Sequence, residues 1–258
     1  MSNILIGTSG FSYNDWKQEF YPKGMGQKDF LEFYARHFTV LELNFSYYRI
    51  PEARQSRQMI ARSGGKLQFV VKAFRQMTHE ISENSLTEVL PLFVDGISPF
   101  MEKGLLGTIL LQFPQSFHYV AENRVYLKSL IEALSPHPVS VEFRQRSWLK
   151  DSVYEALREL GAGFVCVDEP ALPSLIPAVA IHTSNLGYIR FHGRNSEKWY
   201  GTNSSTRYDY LYSEEELKEW IPKIRELSEK AKKLYLFFNN HARGQAITNA
   251  NMLINLLS

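Results

Sequence analysis

Eight short apolar runs alternate with amphipathic stretches along this chain, and most of the runs end on a polar or charged residue. They are Ile4–Thr8, Val40–Asn44, Phe69–Phe74, Thr108–Phe113, Val139–Arg144, Phe164–Asp168, Tyr188–His192 and Leu234–Asn240. Runs of this length read as strands, and the stretches between them carry helical spacing. Eight strands alternating with helices in 258 residues predict an α/β protein, a (β/α)8 TIM barrel of eight parallel strands. It should be one domain spanning residues 1–258.

The helical patterns cover Lys28–Phe38, Glu52–Ser63, Ser85–Lys103, Glu122–Leu134, Asp151–Leu160, Ser213–Lys232 and Arg243–Leu257. Ser213 followed by Glu214, Glu215 and Glu216 predicts a capping box and complements the helix dipole. Asn84-Ser85 and Asp151-Ser152 are similar start signals, and Gly104 and Gly161 are natural stops. After the sixth strand, Pro170, Pro173 and Pro177 leave little room for a helix, so this unit should be short or irregular. Two connections are too long for tight turns: Ser9–Gln27 after strand 1 and Gly193–Tyr212 after strand 7. The second is rich in aromatics, including Trp199, Tyr200 and Tyr208, and is expected to wall or cover a pocket.

In a TIM barrel the C-terminal strand ends build the active site. Side-chain alternation then selects which residues face inward. In strand 2, Leu41, Leu43 and Phe45 oppose Glu42, Asn44 and Ser46; in strand 4, Ile109, Leu111 and Phe113 oppose Thr108, Leu110 and Gln112. In strand 5, Val139, Val141 and Phe143 oppose Glu142 and Arg144, and in strand 7, Ile189 and Phe191 oppose Arg190 and His192. The wholly apolar face should meet the helices. The same rule, on weaker alternation, adds Thr8, Lys72, Asp168 and Asn240, with Asn239 or His241 as alternatives to Asn240. The candidate acid–base groups are therefore Glu42, Glu142, Asp168 and His192. The candidate ligand-binding groups are Thr8, Ser9, Asn44, Lys72, Gln112, Arg144, Arg190, Trp199, Tyr208 and Asn240. The competing interpretation is a purely structural salt-bridge network. It is weakened by the desolvation cost of burying so many ionisable groups, several kcal/mol per ion.

Composition changes this picture little. Hydrophobic residues make up 44% and charged residues 22%, as in ordinary globular proteins. A net charge of +2 gives no polycation for bulk nucleic-acid binding. Cys166 is the lone cysteine, so no internal disulfide can form, and it reads as a small core residue. Met1–Gly10 lacks the pattern of a signal peptide, and no apolar run reaches the ~18 residues of a membrane span. A cytoplasmic location is expected, so the glycosylation-type triplets at Asn44 and Asn203 carry no weight.

There is no GxxxxGK[ST], GxGxxG, HExxH or cysteine pair, so no nucleotide cofactor or zinc site is expected. Gly7-Thr8-Ser9-Gly10 is not a nucleophile elbow; it is either a small-residue turn against a ligand or a tight strand exit.

At these residues the chain resembles the DUF72 (YecE-like) family. The resemblance runs through Ile6–Tyr13 with Trp16 and Phe20-Tyr21-Pro22, then Glu42-Leu43-Asn44, Val71-Lys72-Ala73 with Thr78-His79, and Gln112-Phe113-Pro114. It continues through Val141-Glu142-Phe143-Arg144 with Trp148, Tyr208–Tyr212 and Phe238-Asn239-Asn240-His241. Ser46-Tyr47-Tyr48 departs conservatively from a Thr-Phe-Tyr type segment. The resemblance implies a TIM-like barrel and supplies no reaction.

Four functional classes fit these residues. The leading one is an enzyme using acid–base chemistry on a small anionic, sugar-like phosphate or carboxylate. Lys72, Arg144 and Arg190 would hold the anion, Glu42, Glu142 or Asp168 would act as base, and His192 as acid. A divalent-metal hydrolase or isomerase could use Glu42, Glu142, Asp168 and His192 as ligands, but three nearby cations compete for the carboxylates. A nucleic-acid binding or processing protein would use the cations and loop aromatics for phosphates and bases. The fourth is a non-catalytic ligand-binding barrel.

Overall fold

The computed structural model describes residues 3–200 and 204–258, so residues 1–2 and 201–203, the latter within the expected Gly193–Tyr212 connection, lie outside it. Eight strands form one parallel sheet: β1 Ile4–Thr8, β2 Val40–Leu43, β3 Gln68–Lys72, β4 Leu106–Gln112, β5 Val139–Glu142, β6 Gly163–Asp168, β7 Leu186–Phe191 and β8 Lys233–Phe238. Their order, β1-β8-β7-β6-β5-β4-β3-β2, is that of a barrel with neighbours in sequence beside each other in space.

The seam lies between β1 and β2. It is bridged by the Ser9–Glu42 pair, with the Gly10 amide donating to the Glu42 carbonyl at 2.8 Å. Gly7 stands at this seam. A Cβ there would lie 2.4 Å from the Val40 carbonyl oxygen, so only glycine lets the two strands meet. Gly10 then turns the chain out with a φ of +85°. The Gly7–Gly10 segment thus serves barrel closure and strand exit.

Helices cover the outside. They are α1 Phe30–Tyr34, α2 Phe45–Tyr48, α3 Ala53–Arg62, α4 Leu90–Glu102, α5 Ala121–Leu134, α6 Asp151–Glu159, α7 Ser204–Arg207, α8 Glu214–Lys218, α9 Ile221–Lys230 and α10 Gln245–Leu257. Their buried residues follow the helical period, as in Leu127, Leu130, Ile131 and Leu134 of α5. The helix expected over Ser85–Lys103 opens as a π-type turn at Ser85–Val89 before α4. The one expected over Ser213–Lys232 is divided at Trp220, where Pro222 restarts it as α9. Ser213 and Glu216 form the expected capping box at α8. Between β6 and β7 residues 169–185 contain no helix, as the three prolines predict.

Paired residues in a parallel ladder share a face, so the register separates inside from outside. Glu42 pairs with Val70, Lys72 with Leu110, Gln112 with Glu142, and Arg190 with both Val167 and Phe237. These form the inner face. On the outer face Thr8 and Phe191 both pair with Phe238, and Asp168 pairs with Phe191. Cys166 is buried on that outer side against the Ile181 backbone, and burial pushes its thiol up to about 12.

Candidate functional site

A chain of charges crosses the C-terminal mouth of the barrel. It starts at Glu42 on β2, whose carboxylate accepts from the Tyr188 hydroxyl and from Arg190 at 2.7 and 2.9 Å. Arg190 on β7 reaches across to Glu142 on β5 at 2.5 Å. Arg144, just beyond β5, donates to Glu142 at 2.5 Å and to Glu169 at 3.0 Å. Glu169 also accepts from the Ile176 amide at 3.0 Å, which ties the β6–β7 connection to the site. His192 lies under the chain, 3.3 Å from Glu142, 3.0 Å from an Arg144 nitrogen and 3.1 Å from the Asn239 amide.

Burial would raise the Glu142 carboxyl, but Arg144, Arg190 and His192 together hold it well below the usual carboxylate range. Burial and then Arg144 keep His192 well below the usual imidazole range, so it is neutral. Burial pushes Tyr188 well above the ordinary phenol value, with Glu42 adding to it, so its hydroxyl remains a donor. Glu169 differs: burial outweighs Arg144 and raises it to about 7.

Above this chain opens a cavity of about 530 Å³. Its charged lining consists of Lys72, Arg144, Arg190 and Arg207, and no Asp or Glu is among the described residues that line it. The carboxylates that balance Arg144 and Arg190 lie behind them. Lys72 and Arg207 have no carboxylate within salt-bridge distance among the described residues. The Lys72 ammonium donates to Gln112 at 2.7 Å and sits 4.4 Å above the Tyr47 ring. Burial, then Arg190, lowers its pKa to about 7. The Arg207 guanidinium lies 5.5 Å from the Trp199 ring, and its Nε is buried without a partner. Trp199 is itself buried and also faces Arg144, at 5.8 Å. Asn44 lines the cavity too, and its Oδ1 is buried without a partner.

Inward alternation therefore brings together Glu42, Lys72, Gln112, Glu142, Arg144, Arg190 and His192, with Asn44, Trp199 and Tyr208 on the cavity wall. Ser9 pairs with Glu42 and is buried, its hydroxyl without a partner, but it does not line the cavity. Three expected residues lie elsewhere. Thr8 turns to the helix layer, its hydroxyl 3.0 Å from that of Tyr34. Asp168 also turns outward, to Tyr212 at 2.7 Å, Trp220 at 2.6 Å and Arg194 at 2.8 Å. Asn240 bonds Asn249 at 2.8 Å in α10, and its neighbour Asn239 lines the cavity instead. The alternation at these strand ends puts polar residues on both faces, so parity alone misplaces them. Glu169 and Arg207 lie in connections, where strand parity has no hold and does not select them. Among the described residues no three of His, Cys, Asp and Glu converge in a way that could hold a metal ion.

Fold and site define a single-domain (β/α)8 barrel with a cation-lined cavity at its C-terminal mouth. The chain belongs to the DUF72 family: the family model described as "Protein of unknown function DUF72" matches residues 5–258. It is 32% identical to the UPF0759 protein YunF of Bacillus subtilis (strain 168), over 98% of this chain and 94% of that protein. The crystal structure of a DUF72 family protein from Thermotoga maritima shares 41% identity and a TM-score of 0.90, covering 98% of both chains. One from Enterococcus faecalis V583 shares 26% identity and a TM-score of 0.85, covering 98% of this chain and 95% of that one.

Proposed function

We propose that this protein is an enzyme that performs acid–base chemistry on a small anionic, sugar-like substrate bearing a phosphate or carboxylate. The observation that carries this reading is the sign of the cavity wall: every charged residue lining it among those described is a cation. Arg207 and Lys72 have no carboxylate partner among the described residues and are available to an incoming oxyanion. Arg144 and Arg190 present the cavity with guanidinium edges held in place from behind by Glu42, Glu142 and Glu169. Fixed, desolvated donors of this kind favour an anion because little reorganisation is needed on binding.

The same geometry gives Glu42 and Glu142 positioning roles rather than the base role expected of them. Both have their oxygens filled, and Glu142 is held ionised by its arginines. The proton carriers that face the cavity include Lys72, His79 and His241. Burial, then Lys72, lowers His79 to about 4, so it is a neutral imidazole able to accept a proton.

A thermal-shift series tests the reading. Phosphorylated or carboxylated sugars should raise the thermal midpoint at millimolar concentration, and the matching neutral sugars should not. Arg207→Ala should weaken the response about tenfold or more, the size of one lost charge-assisted hydrogen bond. Equal responses to charged and neutral sugars overturn it. One observation favours a phosphodiester as the anion: Tyr48 and Tyr200, both largely exposed, stand on the cavity wall and could stack on bases. Tighter, steeply salt-dependent binding of short single strands than of sugar phosphates is the outcome that selects this second reading.

A further inference from the structure

We propose that Lys72 is a nucleophile that forms an imine with a carbonyl group of the substrate, which makes the substrate class an anionic aldehyde or ketone. The proposal rests on the anionic-substrate reading above and names the reacting group within it.

The geometry comes first. Lys72 is the last residue of β3, on the inner face, and its backbone is fixed by the ladder to β4 and by the Ser46 hydroxyl, which donates to its carbonyl at 2.6 Å. Its side chain lines the cavity. It is the cavity cation best placed to act through a lone pair, because a guanidinium does not lose its proton in this range. Its contacts are the Gln112 side-chain oxygen at 2.7 Å and the Tyr47 ring face at 4.4 Å, with no carboxylate within salt-bridge distance among the described residues. Tyr47 also packs edge-on against His79, with ring centroids 4.8 Å apart, so the lysine and the imidazole share one aromatic wall. The Thr78 hydroxyl lies 2.9 Å from His79 Nδ1 and fixes the ring's orientation.

The electrostatics agree. Burial and Arg190 bring the Lys72 ammonium to about 7, so near neutral pH a large share of it is free amine. A lysine at the ordinary value of about 10.4 has roughly a thousandfold less free amine at that pH.

The amine lone pair attacks the carbonyl carbon, and the C=O π pair moves to oxygen, which takes a proton from the attacking nitrogen to give a neutral carbinolamine. One proton taken up from solvent lets the hydroxyl leave as water while the nitrogen lone pair forms the C=N bond. The product is a cationic iminium, whose positive charge is that of the added proton and faces the substrate's anion. An iminium acidifies the adjacent C–H. His79 accepts that proton while the C–H electron pair forms an enamine and neutralises the nitrogen. This gives the acid–base chemistry of the site a chemical purpose. Water reverses the imine and frees the lysine.

Borohydride reduction tests the proposal on the unmodified chain. The protein is incubated near pH 7.5 with dihydroxyacetone phosphate or with dihydroxyacetone, reduced, digested and mapped by mass. The expected result is a stoichiometric reduced adduct on Lys72 with the phosphorylated ketone, suppressed by inorganic phosphate, with the other lysines essentially unlabelled. Lys72→Arg should abolish the adduct while still giving a thermal shift with inorganic phosphate. Absence of a Lys72 adduct while phosphate still binds overturns the imine alone. A Lys72 adduct formed equally with both ketones and unaffected by phosphate keeps the imine and overturns the anionic-substrate reading. Labelling spread over surface lysines, with Lys72 not preferred, also overturns the imine.

Discussion

Arg190 shows how much one side chain carries in this molecule. It spans the barrel mouth between Glu42 and Glu142, and all three residues are buried. Arg190→Met would leave two desolvated carboxylates facing each other. Loss of about 3–5 kcal/mol is expected, read as a lower urea midpoint. Glu169 offers a pH test. Burial raises its carboxyl from the ordinary 4.5 to about 7, so the folded chain holds this proton to higher pH than the unfolded chain does. Its contribution to stability is therefore full below about pH 4.5 and is lost as pH rises through about 7. Up to about 3 kcal/mol depends on it. Urea midpoints across that window should decline in the parent chain and flatten in Glu169→Gln; an unchanged slope contradicts the assignment. The side chains that parity placed correctly, such as Glu42, Glu142 and Arg190, sit opposite wholly apolar partners on their own strands. Asp168 does not. Its partners Tyr212 and Trp220 lie more than forty residues along the chain, and nothing in the alternation of β6 shows that they will be there.

Among the elements, the described residues of the Gly193–Tyr212 connection, 193–200 and 204–212, wall the cavity through Trp199, Tyr200, Arg207 and Tyr208. The connection is tied back by the Tyr212 hydroxyl, which accepts from the Gly193 amide at 2.7 Å. It is joined to the β6–β7 connection by Tyr200 and Ser174, whose hydroxyls are 2.9 Å apart, and Gln115 donates to Ser174 at 2.7 Å. Ser174→Ala removes this partly exposed latch. Stability should change by less than about 1 kcal/mol. The dissociation rate of a bound sugar phosphate, measured by stopped flow, should rise severalfold, and an unchanged rate would show that the contact does not hold the wall in place. Trp199 behaves differently from a loose cover. It is buried beside Arg144 and Arg207, so Trp199→Ala should cost about 3 kcal/mol or more in addition to weakening anion binding. The aromatics of the loop are legible in the sequence; the burial of Trp199 depends on Arg144, which comes from the end of β5.

For the molecule as a whole, closure of the barrel rests on the β1–β2 seam. Gly7→Ala places a Cβ against the Val40 carbonyl, a backbone atom that cannot swing aside. A loss of about 1–3 kcal/mol is expected by thermal unfolding. The barrel itself was legible because eight strands and their helices each repeat one pattern, and the prolines after β6 marked the unit without a helix. What alternation could not show is which charges would face the cavity and which would stand behind them, because that depends on long-range contacts. That division is the central claim: cations in front, carboxylates behind. Its most direct test is a crystal of this protein soaked in phosphate. The account predicts tetrahedral density in the cavity in contact with Arg207 and Lys72, with Glu42 and Glu142 still bonded to Arg190. An empty cavity at saturating phosphate, or a divalent metal held by Glu42 or Glu142 with the arginines displaced, would contradict it.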